Sequence, residues 1–147
     1  MNQAGGSGGA SLGRKLEEID RDECLRLIAP GGVGRVAFDD GEGPTVIPVN
    51  YAVEGESVVF RTATEGRLNQ SLSTVMAEAE VRIAFEVDAF DETDREGWSV
   101  LVRGGAHRMS EEEGADAAGV TPWPAGAREA YIRLSARSVS GRRVRRE

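Results

Sequence analysis

The sequence predicts a mainly β domain, folded as a six-stranded antiparallel barrel with a few short helices. Two observations support this fold class: β-rich or alternating segments recur along the chain, and turn chemistry separates neighbouring segments. A third is that strands and helices do not alternate as they do in parallel sheets. A barrel pairs the two edges of its own sheet and so removes exposed strand edges. The predicted strands occupy residues 34–38, 45–53, 57–62, 81–87, 98–109 and 131–138.

Two segments precede the first strand. Residues 1–13 are rich in glycine and serine and have no hydrophobic period, so a disordered extension is predicted there. The single folded domain is therefore placed at residues 14–147. A helical region is predicted over 16–29, with Asp20 as its N-cap and Glu23 as the capping-box partner.

The turns and remaining segments follow in chain order. Residues 39–43 and 54–56 supply acidic and glycine turn chemistry, so the first three strands are predicted to form a meander. Residues 66–76 fit a helix less decisively, and residues 88–97 are predicted to be an acidic loop. Residues 110–113 resemble a helix start with serine as the cap.

Composition excludes several classes of function. A net charge of −7 argues against nucleic acid as a partner, because its phosphates need a basic face. No apolar segment approaches the roughly 20 residues that span a bilayer, and the N-terminus lacks the apolar core of a signal peptide. We therefore expect a cytoplasmic protein with no membrane partner. The lone Cys24 is predicted to be a small buried side chain on a helix.

Arginines are concentrated at the end of the chain. Five of them lie between residues 137 and 147, against one acidic residue. A solvated tail or edge strand is the preferred explanation for Arg145 and Arg146. For Arg142 and Arg143, this explanation and an anion site both stay open.

Common catalytic constellations are missing from the sequence. His107 is the only histidine, so no histidine-based metal cluster is expected, and it has no nucleophile elbow nearby for a catalytic triad. No P-loop or strand-to-helix GxGxxG is present. The acidic residues of 88–94 lack the spacing of a calcium loop, so no metal site is predicted.

Polar residues at strand ends are the remaining candidates. Arg61, Thr62 and Arg67 surround one strand-to-helix junction, and guanidinium, hydroxyl and helix N-terminal N–H groups together suit a phosphate dianion. An ordinary turn with surface arginines explains the same residues equally well. Asn50 interrupts a β-branched strand, where it satisfies either neighbouring backbone or a polar ligand. The glycine pair 104–105 allows close approach of another backbone or a ligand.

Taken together, these motifs resemble the pyridoxamine 5′-phosphate oxidase-like superfamily of flavin-binding split β-barrels, and look closest to its small actinobacterial-type branch. The resemblance covers roughly residues 16–144, and its ordered set of motifs is more specific than any single one. The matching segments are 34–38, 48–51, 60–62, 97–100, 122–123 and 141–142.

The resemblance implies a six-stranded split barrel, a homodimer, and two FMN sites shared between the subunits. The cofactor-binding residues that it implies are Pro48, Val49, Asn50, Phe60, Arg61, Thr62, Arg67, Trp98, Ser99, Val100, Trp123 and Arg128.

Roles within this set are also implied by the resemblance. Arg61, Thr62 and Arg67 would hold the phosphate, although Arg67 stands where such proteins commonly have lysine. Residues 48–50 would line the flavin ring, and residues 98–100 would lie beside the ring or the ribityl chain.

The last two residues of the set, Trp123 and Arg128, would close the site from the partner subunit. The full oxidases carry a C-terminal arginine–histidine motif for the substrate phosphate, but residues 141–144 of this chain contain no histidine. Oxidation of pyridoxamine phosphate is therefore not expected.

The expected function is an FMN-dependent oxidoreductase that uses a small-molecule electron donor or acceptor, with no catalytic side chain identified. Two alternatives stay open: a non-catalytic flavin-binding, sequestering or sensor module, and the same fold using the deazaflavin F420. Haem is disfavoured because His107, the only histidine available as a ligand, lies in the middle of a strand.

Overall fold

The computed structural model describes residues 13–63, 68, 80–110 and 129–146. The predicted N-terminal extension, apart from Gly13, lies outside these residues, as do most of the helices predicted at 66–76 and 110–113. The elements in chain order are β1 (Arg14–Ile19), α1 (Arg21–Ile28), β2 (Gly32–Asp39), β3 (Pro44–Glu54), β4 (Ser57–Ala63), β5 (Val81–Asp91), β6 (Glu96–Arg108), β7 (Glu129–Ser135) and β8 (Ser138–Arg146).

Strands β2 to β7 form a closed six-stranded antiparallel barrel, which confirms the predicted fold class. Their order is β6-β5-β2-β3-β4-β7, and β7 pairs back onto β6 to close the barrel. The long strand β6 is shared along one edge: residues 106–108 pair with β7, and residues 97–103 pair with β8. This division of one edge between two strands makes the barrel a split barrel.

The first predicted helix begins later than expected. Residues Arg14–Ile19 form a strand because they pair with β8 over six residues, and this tertiary pairing overrides their local helical pattern. The predicted N-cap is confirmed, since the Asp20 carboxylate accepts a hydrogen bond from the Glu23 backbone N–H at 2.8 Å. The Glu23 carboxylate itself accepts hydrogen bonds from Arg26 and Arg143.

The acidic loop predicted at 88–97 was wrong. Strand β5 continues to Asp91 and β6 begins at Glu96, because the β5–β6 hairpin pairs without interruption from Val81 to Asp91. Of its acidic residues, Asp88 points outward, where its carboxylate lies 3.4 Å from the Arg35 guanidinium, and Asp91 is exposed at the end of the strand. Only residues 92–95 remain as the turn.

The last predicted strand, 131–138, is in fact divided between β7 and β8. The break lies at residues 136–137. Strand β8 then runs between β1 and β6, so the arginine-rich segment is an inner strand of the sheet and forms neither a tail nor an edge strand. Gly104 permits this break, because a Cβ at that position would overlap the Ser135 carbonyl oxygen. The close approach predicted for the glycine pair is made by backbone at Gly104 and by the Glu80 side chain at Gly105.

Aromatic and aliphatic side chains fill the barrel. Phe60 and Phe85 are fully buried and stack with their ring centroids 6.4 Å apart, while Tyr51 meets Phe85 edge-on at 5.0 Å. The Tyr51 hydroxyl donates a hydrogen bond to the Ile28 carbonyl at 2.8 Å, which ties α1 to the barrel. Cys24 is fully buried on this helix, as predicted. None of the described helical residues forms a segment long and apolar enough to cross a bilayer.

Candidate functional site

Strand alternation divides the predicted cofactor-binding residues between two faces of the barrel. Val49, Phe60, Thr62 and Val100 are all buried, and the three apolar ones pack in the main core. Successive side chains of a strand point to opposite faces, so the neighbours of these residues point outward. A ligand outside the barrel therefore reaches the four buried residues only through their backbone.

Three predicted residues come together on the outer side of β3 and β4, which we call the β3–β4 wall. Pro48 and Asn50 alternate with the buried residues of β3. The β3–β4 ladder ends at the pair of Tyr51 with Phe60, and Asn50 and Arg61 are the next residues of the two strands beyond this pair. The Arg61 guanidinium lies 4.8 Å from the centre of the Tyr131 ring, a cation–π arrangement that holds it on this wall.

Ser99 lies on a different wall. It faces outward from β6, between the core residue Val100 and Trp98, which packs against the core. Strand β6 is three strands away from β3 in either direction around the six-stranded barrel. Strands β2 and β5 therefore lie between the outward side chains of β3 and those of β6.

A groove of about 470 Å³ lies on the outer side of β6 and β8, which we call the β6–β8 wall. Ser99 and Leu101 line it from β6, in register with Arg142 and Ser140 of β8. Arg103 also lines the groove. The remaining predicted residues, Arg67, Trp123 and Arg128, lie outside the described part of the chain.

Four of the five C-terminal arginines are neutralised by carboxylates. Arg143 contacts Glu23 at 3.3 Å and Arg145 contacts Glu17 at 2.6 Å. The other two pairs are Arg137 with Glu80 at 3.0 Å and Arg146 with Asp94 at 3.9 Å. These ion pairs favour a structural role for Arg143, Arg145 and Arg146. A structural role therefore replaces the solvated tail as the explanation for these residues.

A cluster of charged residues between the two walls was not found from the sequence. The Arg35 guanidinium on β2 lies 3.2 Å from the Glu86 carboxylate and 3.4 Å from the Asp88 carboxylate on β5. Pro48 and Leu101 flank it in the same cross-strand row. The alternating Glu-x-Asp pattern at residues 86–88 is the available signal, but the loop predicted at 88–97 separates Asp88 from the strand.

This cluster changes the acidity of one carboxyl group. Burial raises the pKa of Glu86 to about 7, and the hydrogen bond and charge of Asp88 add to the rise, while Arg35 acts in the opposite direction. A carboxyl group of this kind exchanges a proton near neutral pH. Within the described residues, no group of three or more histidine, cysteine and acidic side chains is placed to hold a metal ion.

The closed barrel with one shared edge defines the chain as a split-barrel protein. A family model described as pyridoxamine 5′-phosphate oxidase matches residues 20–143, and the chain belongs to this family. Membership confirms the family resemblance of the sequence motifs.

Known relatives agree with this assignment. An uncharacterized Mycobacterium tuberculosis protein, Rv0080, is 38% identical over 100 residues, which are 68% of this chain and 65% of that protein. The match thus spans just under two thirds of that relative's length. A FAD-binding protein from Mesorhizobium loti superposes with a TM-score of 0.71 at 21% identity, covering 90% of this chain and 98% of that one. A FAD-binding protein from Mycobacterium smegmatis gives 0.63 at 24% identity, covering 88% and 98%. Both superpositions show a shared fold.

Proposed function

We propose that the chain is an FMN-dependent oxidoreductase that acts as a homodimer, with each flavin site shared between the two copies. Its substrate is a small-molecule electron donor or acceptor other than pyridoxamine phosphate. The two structural relatives that bind FAD support a flavin as the ligand. The family resemblance of the sequence motifs is the reason for choosing FMN.

The opposite placement of the two walls is the observation that carries the shared site. Pro48 and Asn50 face outward from β3, whereas Ser99 faces outward from β6 on the other side of the barrel. Within one copy, Arg35 of β2 and Glu86 of β5 lie between the two walls, and the proposal therefore brings one wall from each copy to each flavin. If both sets bind the flavin, the β3–β4 wall of one copy and the β6–β8 wall of its partner must face each other.

The β3–β4 wall has the chemistry that a flavin phosphate requires. Arg61 supplies a guanidinium that is held by its contact with the Tyr131 ring, so little side-chain entropy is lost when it binds an oxyanion. Asn50 carries an amide group on the same wall, just beyond the end of the β3–β4 ladder, and Pro48 offers an apolar surface.

Each side chain has a binding role in this proposal, and none is assigned as catalytic. Arg61 binds the phosphate, Asn50 and the strand backbone orient the ring edge, and Ser99 of the second copy donates a hydroxyl. A bound flavin supplies two-electron chemistry, for which the protein provides position and electrostatics. Facing walls would also exclude water from the space between them.

Exposed apolar residues support the dimer. Val33 and Val46 are 38% and 61% exposed, and they lie on the outward side of β2 and β3, as Pro48 does. Apolar side chains grouped on an outward sheet face are typical of protein interfaces. We expect light scattering to give twice the chain mass of 15.7 kDa.

The decisive experiment identifies the cofactor that copurifies with the full chain. The expected result is a yellow protein with absorbance at about 450 nm, whose heat-released cofactor coelutes with FMN in chromatography. Release of FAD or F420 would overturn the choice of FMN as the cofactor but would leave the proposed binding site unchanged. A colourless protein that takes up none of the three would overturn the proposed function. Bound FMN that no electron donor reduces would favour the sequestering or sensor alternative.

A further inference from the structure

The groove of the β6–β8 wall contains two arginines that no carboxylate of the described residues neutralises. Arg103 and Arg142 both line it, and within the described part of the chain neither guanidinium forms a hydrogen bond or an ion pair. The other C-terminal arginines are all paired, in a chain with 25 acidic residues against 18 basic ones. Such a chain has enough carboxylates to neutralise these two as well.

The nearest candidate partner does not neutralise Arg142. Glu18 stands opposite Arg142 in the β1–β8 register and lines the same groove, yet no ion pair within 4.0 Å joins them. The groove therefore keeps a net positive charge in an otherwise acidic protein. A concave surface with charges of one sign concentrates counter-ions, because its low-dielectric wall focuses the field.

The positions of the two arginines fit a small extended ligand. Arg142 is in register with Ser99, and Arg103 lies four residues further along β6, about 13 Å at roughly 3.3 Å per residue. Leu101 and Ser140 form the cross-strand pair between them. The groove thus offers a guanidinium at each end, with an apolar side chain and hydroxyl groups between. Its volume of about 470 Å³ is ordinary for a small-molecule site.

We propose that this groove is an oxyanion-binding site for a small molecule that carries phosphate or carboxylate groups. Arg103 and Arg142 bind the oxyanions through charged hydrogen bonds, and Ser99 and Ser140 add hydroxyl donors. The oxyanion has two possible sources: the phosphate of the flavin bound by a partner copy, or a second reactant. Ser99 is also assigned to the proposed flavin site, whereas Arg103, Arg142 and Ser140 are not, so oxyanion binding by the groove can be tested without flavin.

The test is calorimetric titration of the full chain with inorganic pyrophosphate, which presents two linked oxyanions. Wild-type protein is expected to bind it saturably. The double variant Arg103→Gln with Arg142→Gln should weaken binding about 100-fold, at about tenfold for each charged hydrogen bond. A matched control removes the same two charges at paired positions, Arg137→Gln with Arg145→Gln, and should change the affinity by less than about threefold.

Two results would overturn the site. One is no saturable binding by the wild type. The other is equal weakening in both double variants, which would mean that pyrophosphate affinity depends only on the net charge of the protein. The variants are expected to fold, since Arg103 and Arg142 are exposed and their side chains have no partner among the described residues. Repeating the titration with FMN at saturation separates the two sources. Lost pyrophosphate binding assigns the groove to the flavin phosphate, and retained binding assigns it to a second reactant. A chain that binds pyrophosphate but no flavin would overturn the proposed function alone.

Discussion

Phe60 and Arg61 are neighbours in one strand and have opposite tasks. Phe60 points into the barrel and is fully buried, whereas Arg61 points outward over the Tyr131 ring. The same division separates Val49 from Asn50 and Val100 from Ser99. Each of these segments therefore builds the core with one residue and presents chemistry to the outside with the next. The comparison predicts that stability and ligand binding can be damaged separately by substitutions one residue apart.

The largest effect is expected on the interior side. Phe60→Ala removes a ring that stacks on Phe85 at 6.4 Å, and should lower the free energy of unfolding by about 3–5 kcal/mol in urea denaturation. Arg61→Ala, the control, should change it by only about 1 kcal/mol, which includes its lost cation–π contact. Similar destabilisation by both substitutions would contradict the division between the two faces.

The outer side should respond in flavin affinity. Arg61→Ala together with Arg67→Ala removes the charges assigned to the phosphate, and should weaken FMN binding at least about 100-fold in a fluorescence titration. The control Arg26→Ala with Arg82→Ala removes two exposed charges elsewhere and should leave the affinity nearly unchanged. Unchanged FMN binding by the first variant would contradict the assignment of Arg61 and Arg67 to the flavin phosphate.

The dimer gives a further test of the outer side. Val46→Asp places a charge on the outward side of β3, at a residue that is 61% exposed and so is not needed for folding. It should shift the mass in light scattering from dimer towards monomer, because an unpaired buried charge in an interface is costly. Thr93→Asp in the β5–β6 turn adds the same charge and should leave the mass unchanged. A dimer that persists in the Val46 variant would place the interface elsewhere.

Local pattern predicted the barrel strands well because hydrophobic alternation and turn chemistry act over a few residues. It did not predict which residue of each motif points outward. For example, Thr62 was grouped with Arg61 for a phosphate, and the structure places it on the buried face. Alternation divides the residues of a strand between two faces, but it does not indicate which face binds a ligand. The site residues implied by the motifs therefore come from both faces.

Long-range pairing explains the remaining differences. The strand at Arg14–Ile19 exists because β8 lies beside it, more than 120 residues later in the chain. The ion pair of Arg145 with Glu17 and that of Arg143 with Glu23 have the same cause. No local feature of the arginine-rich segment shows which of its members meet a carboxylate. The sequence leaves the role of Arg142 open because its neighbours, Glu18 of β1 and Ser99 of β6, lie on strands far from it in the chain.

The smallest expected effect is on the pKa of Glu86. Burial raises this pKa, so the outer face of the barrel is not uniformly solvated. The pKa of Glu86 is raised from 4.5 to about 7, so the folded protein keeps this proton over a range where the unfolded chain has lost it. The group therefore stabilises the fold below about pH 4.5, and this contribution is lost as the pH rises towards about 7. Because the side chain is 32% exposed, the carboxyl chemical shift is a sharper measurement than stability.

Two substitutions should move the pKa of Glu86 in opposite directions in a carbon-13 NMR titration. Asp88→Asn removes the neighbouring negative charge and should lower it, whereas Arg35→Gln removes the opposing positive charge and should raise it. Asp22→Asn on the exposed side of α1 is the control and should leave it unchanged. Shifts in the same direction for both variants would indicate a general change of structure. A wild-type Glu86 that titrates near 4.5 would mean that the outer face of β5 is as well solvated as the exposed turns. The barrel would then have a buried inner face and a fully solvated outer face.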